Sequence, residues 1–230
     1  MKRLKTLTAG IFLLGQAFSG AAFAASVTLS GTNVDFILDD AMLGSFGPAS
    51  VSGDTLYFTP IDFAARSLNG GGYSLTNETM NIKVSAHAGW AFSSMGLTEK
   101  GDYLLLGAGS TADVSGQMRV FDVAKPLVDV TASIQPTSPL NQMGLPTHNW
   151  TALASTDLSA WNTTQMINVT VENLLLASTG VPSSVAFVEK KFVGLTAVMA
   201  PVPEAETYAM MLAGLGLVGF AAARRRAISK

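Results

Sequence analysis

The chain has 230 residues, 48% hydrophobic and only 13% charged, a composition that carries one sizeable core and is thin for two domains. It has no cysteine, which excludes a disulfide framework, a thiol nucleophile and any zinc site built on thiolates. The formal net charge of -2 conceals an acidic body, with seven Lys and Arg against fourteen Asp and Glu between residues 26 and 200, and such a surface repels nucleic acid.

Residues 1–24 have the three parts of a removable export signal. Lys2, Arg3 and Lys5 are a basic start, residues 7–18 are an apolar run, and Ala22-Phe23-Ala24 closes with small side chains. Positive charge stays on the cytoplasmic side, the apolar run enters the bilayer as a helix, and Ala22 and Ala24 fit a signal-peptidase pocket. Cleavage is expected after Ala24. The partners this implies are the Sec-type export machinery and signal peptidase.

Residues 25–200 form the body, where alternation and turns dominate over any helical period. Residues 26–30 alternate, and Val34, Phe36 and Leu38 continue on one face. Further strands are predicted at residues 55–59, 80–86, 102–106, 117–121, 128–134, 167–171 and 192–198. A helix is an alternative at 172–177, although Thr170 and Val171 before it favour a strand. Residues 136–146 are Pro-rich and read as a long surface connection. Many short strands separated by Gly, Asn, Asp and Pro predict an all-β body, a β-sandwich or jelly roll. One local repeat is present. Ser30-Gly31-Thr32-Asn33-Val34-Asp35-Phe36 matches Ser52-Gly53-Asp54-Thr55-Leu56-Tyr57-Phe58, which reads as two similar hairpin corners.

The body offers few chemical motifs. His87 and His148 are far apart in sequence, and neither has a second ligand at helical or strand spacing, so surface roles are expected. Asp39 and Asp40 are the only adjacent acidic pair of the body and read as a solvated turn. No nucleophile elbow, phosphate loop or dinucleotide glycine pattern occurs. Trp90, Trp150 and Trp161 could stack on sugar if exposed together, or fill the core. No catalytic residue, metal or cofactor is assigned.

Residues 201–230 form a second address. Val202-Pro203-Glu204 precedes an uncharged stretch at 208–223, opened by Tyr208 and closed by Arg224, Arg225 and Arg226. As a helix the stretch is about 24 Å long, and it reads as a single transmembrane helix with a basic tail. The order Pro-Glu, short apolar helix, arginine cluster resembles the PEP-CTERM sorting signal of Gram-negative bacteria. Ala205 replaces the second proline of that pattern. Residues 101–110 and 189–195 resemble uncharacterised members of the same group, which brings no assigned chemistry.

The resemblance implies a route. The protein is exported, held transiently at the inner membrane with its body periplasmic, handled by the transpeptidase exosortase, and delivered to the cell surface or medium. It also implies association with exopolysaccharide or biofilm. The leading expectation is a non-enzymatic envelope or matrix protein. The alternatives are a secreted carbohydrate-binding module, or a secreted hydrolase with a site assembled by the fold.

Overall fold

Period-two burial sets the architecture. Along β11 (Met166–Thr179) Ile167, Val169, Val171, Leu175 and Ala177 all turn inward, while their neighbours lie closer to the surface. The same alternation recurs in a computed structural model that describes residues 26–202 and 205–228. The signal helix expected over residues 1–24, with Ala22 and Ala24, lies outside the described residues, as do Pro203 and Glu204.

The strands before β11 are β1 (Ser26–Ser30), β2 (Val34–Asp39), β3 (Ala49–Ser52), β4 (Thr55–Phe58), β5 (Ala64–Leu68) and β6 (Gly72–Ala86), followed by β7 (Trp90–Leu106), β8 (Ser110–Asp122), β9 (Lys125–Pro136) and β10 (His148–Asp157). β12 (Val185–Pro201) follows β11, and the helix α1 (Ala205–Ile228) comes last. They pair in one antiparallel sheet, in the order β1-β2-β6-β11-β8-β9-β10-β7-β12-β4-β3, with β5 also paired to β12.

The body is therefore all-β, as expected. Its strands join into one twelve-stranded, barrel-like sheet. The reason lies in β9, whose last residues Gln135 and Pro136 pair with Leu153 and Ala152 of β10 and carry the ladder round the corner. Residues 172–177 are strand within β11, not helix, because their inner face is needed by the core. The strands β3, β5 and β10 have no counterpart among the predicted elements, and β6, β7 and β12 are much longer than the sequence pattern suggests.

The two ends of the sheet are fastened to one another by the repeated hairpin corners. Thr32 N donates to Gly53 O at 3.1 Å, and Asn33 donates from its backbone N and its Nδ2 to the two carboxylate oxygens of Asp54, each at 2.7 Å. A side chain at Gly31 would stand 2.7 Å from Gly53 O, so the close approach requires glycine there. The local repeat is thus two corners that clasp. On the opposite side β5 ties the layers through Ser67 Oγ, 2.7 Å from Thr179 Oγ1 of β11.

The core is continuous. Phe46 packs edge-on against Phe58 and Phe63, at centroid distances of 6.0 and 5.4 Å, and Phe36 and Phe92 are fully buried within the same cluster.

α1 has a different character. Met210, Leu212, Leu215, Leu217, Val218 and Phe220 are all exposed, so the described apolar side chains of the helix are not packed into the body. The span expected at 208–223 needs correction. Among the described residues no helix is long and apolar enough to cross a membrane. The uncharged stretch is about 24 Å long against a hydrocarbon core of about 30 Å, and charged residues bound it on both sides.

Candidate functional site

Two regions stand apart from ordinary scaffold. The first is the tail, where Val202 closes the body, its N donating to Gly89 O at 2.8 Å. Tyr208 and the three arginines fall within α1, and Arg224 is exposed.

The second is a polar cluster inside the core. Glu99 sits on the inner face of β7, in line with Met95 and Leu97, and Lys190 on the inner face of β12, in line with Ala186 and Val188. Asn173 occupies the inward stripe of β11 between Val171 and Leu175. All three side chains are inaccessible to water. Lys190 Nζ donates to Glu99 Oε2 at 2.7 Å, donates to Asn173 Oδ1, and lies 4.9 Å from the centre of the Phe63 ring. Among the described residues Glu99 Oε1 and Asn173 Nδ2 have no hydrogen-bond partner.

Burial pushes the Glu99 carboxyl up, against the pull of the Lys190 charge. Burial likewise pushes Lys190 down, against the attraction of Glu99. Both groups are thereby driven toward their neutral forms.

A bulge between Lys190 and Phe192 shapes the site. Gly101 of β7 faces Lys190 across the ladder, and its missing side chain leaves room for the Trp150 ring. Trp150 Nε1 donates to the carbonyls of Glu189 and Asp102, at 3.2 and 3.3 Å. On the outer side Lys191 pairs with Asp102 at 2.7 Å.

The other residues singled out in the sequence do not assemble into a site. Trp150 is buried in the core, while Trp90 and Trp161 are half-buried, so the three tryptophans do not form an exposed platform. Asp39, the half-buried last residue of β2, accepts from Ala41 N at 3.1 Å. Among the described residues no group of three His, Asp or Glu could hold a metal ion. His148 lies beside Tyr103, at a ring-centroid distance of 5.6 Å.

His87 and Asp35 form a half-exposed pair, Nε2 to Oδ1 at 3.1 Å, and His87 Nδ1 lies 3.2 Å from Thr32 O. The hydrogen bond to Asp35 raises the His87 pKa above 6.5, and the same bond lowers Asp35 below 3.8. The pair's stability is complete below the unfolded histidine value and above the unfolded carboxylate value. It is lost as pH rises through the raised His87 pKa, and lost again as pH falls through the lowered Asp35 pKa. His87→Ala is therefore expected to cost more stability near about pH 5.5 than near about pH 8, by roughly 0.2–1 kcal/mol for so exposed a pair. Urea unfolding at the two pH values measures it, and equal losses would exclude the ion pair.

Comparison with known proteins bears on the tail. Residues 201–226 match the PEP-CTERM protein-sorting motif. The chain thus carries a sorting signal of the class processed by exosortase, and its body belongs to no family identified by that match. No curated protein matches the chain. Among solved structures, similarity is found to TmCBM61 in complex with β-1,4-galactotriose, at 10% identity over 60% of this chain and 90% of that one, with a TM-score of 0.21. It is found also to the infectious bursal disease virus VP2 subviral particle, at 11% identity over 66% of this chain and 42% of that one, with a TM-score of 0.24.

Proposed function

We propose that this chain is an exported, non-catalytic envelope or matrix protein whose destination is set by its tail. The observation that carries this reading is the sorting motif over residues 201–226. The exposed apolar side chains from Met210 to Phe220 support it, because apolar surface left open to water is available to another apolar environment. In this reading the signal peptide takes the chain through Sec, and the exposed apolar side chains of α1 attach the body to the periplasmic face of the inner membrane. Exosortase then recognises Pro203-Glu204 and releases the body toward the surface or medium. The acidic, threonine-rich body suits a component that stays soluble beside exopolysaccharide.

Intact-mass measurement of the protein recovered from medium and envelope fractions of its host tests the route. The expected sorted form lacks residues 1–24 and has lost α1. A folded chain found in the cytosol with both ends present would overturn it.

A further inference from the structure

Glu99, Lys190 and Asn173 bring an amine, a primary amide and a proton carrier together in a dry core, and nothing in the sorting role uses them. A buried ion pair alone is a poor source of stability, since taking both charges from water offsets most of their attraction. Here it also leaves the Asn173 Nδ2 without a partner.

We propose that Lys190 and Asn173 become joined by an intramolecular isopeptide bond between Lys190 Nζ and Asn173 Cγ, formed in the folded protein with Glu99 as the proton-transfer group.

The geometry supplies each requirement. The nucleophile Nζ already touches the side-chain amide it attacks. Glu99 Oε2 lies 2.7 Å from that nitrogen, and its other oxygen is uncommitted among the described residues. Phe63 closes the remaining side of the ammonium site with its ring face, and water, the competing nucleophile, is shut out. Burial favours the neutral amine, which is the reactive form, together with the protonated carboxyl.

The step balances without any added reagent. Nζ attacks Cγ while the Glu99 carboxyl gives its proton to Oδ1. The carboxylate so formed takes a proton from the attacking nitrogen and passes it to Nδ2. The Cγ–Nδ2 bond breaks and ammonia leaves, the carbonyl reforms, and the Oδ1 proton returns to Glu99. One amide replaces another, with no change of oxidation state. The leaving atom is the unpartnered Nδ2, so the reaction also removes the one donor of Asn173 that the core does not satisfy.

Asn173 stands on β11 and Lys190 on β12, strands that are not ladder neighbours in the sheet. The bond therefore staples two opposed walls of the barrel, a task that disulfides perform in other exported proteins and that this cysteine-free chain cannot give them.

Mass spectrometry of the purified full-length protein tests the proposal. The expected mass is about 17 Da below that of the unmodified recovered chain, the loss of one ammonia. Tryptic mapping is expected to give a branched peptide joining the segments around Lys190 and Asn173, with cleavage after Lys190 abolished. Glu99→Gln is expected to restore the unmodified mass while keeping the far-UV circular dichroism of the wild type. If that variant does not fold, the wild-type map decides alone. Linear, unmodified Lys190 and Asn173 peptides from folded wild type would overturn the proposal, as would an ammonia loss mapped elsewhere. Complete cross-linking in Glu99→Gln would overturn the role given to Glu99.

Discussion

Deleting Pro203 and Glu204 while keeping α1 is expected to leave the protein in the envelope fraction with its tail uncut, and to empty the medium of it. The effect is close to all-or-none, because the deletion removes the recognition element and spares the apolar helix and the arginines. In the sequence Pro203 and Glu204 stand immediately before Ala205, the first residue of α1. No other Pro-Glu pair precedes an apolar helix in this chain. The body ends before the deletion, with β12 closing at Pro201, so its folding is unaffected and circular dichroism serves as the control. Fractionation followed by immunoblotting measures the result. Normal processing and release of the deleted form would remove the basis for the sorting assignment.

Gly101→Ala is expected to destabilise the body by roughly 3 kcal/mol, at the upper end of overpacking effects. The new Cβ would stand 1.8 Å from the Glu189 carbonyl oxygen and 2.7 Å from the Trp150 ring. Neither can give way easily. The carbonyl belongs to the strand that holds Lys190 and accepts from Trp150 Nε1, and the ring is packed into the core. Gly96, on the same strand, provides the control, because a Cβ there meets nothing within 4 Å. Gly96→Ala is expected to stay within about 0.5 kcal/mol of the wild type. Thermal unfolding should place the two variants about 10 °C apart, given roughly 2–4 °C per kcal/mol for a domain of this size. Coincident midpoints would show that the backbone around the bulge is looser than the packing implies.

How much of this was legible in the sequence follows from what each residue depends on. β1, β2, the second half of β6 and the first residues of β11 were readable, because their alternation is local, whereas residues 172–177 of β11 also allowed a helix. The repeat at Ser30 and Ser52 was visible as two corners, but their clasp depends on a long-range meeting of Asn33 and Asp54 that no local pattern encodes. β10 was hidden because Trp150, Ala152 and Ala154 make a weak apolar stripe, two of them being alanine. The tail motif was legible because its signal is linear. The buried cluster was missed, although its trace was present. Glu99, Asn173 and Lys190 each continue an inward-facing apolar stripe where another apolar side chain would be expected. Reading one strand at a time, each looks like an isolated exception, and only the sheet order brings them to one point.

β12 lies inside the sheet and runs directly toward the tail, so any tension applied at Val202 enters the body along the axis of its most heavily paired strand. The ladder with β7 extends from Val185 and Leu106 to Pro201 and Trp90. Pulling lengthwise on such a ladder strains many hydrogen bonds together, in contrast to an edge strand that peels away one bond after another. A body tethered by this end would resist drag and extension better than one held through an edge strand.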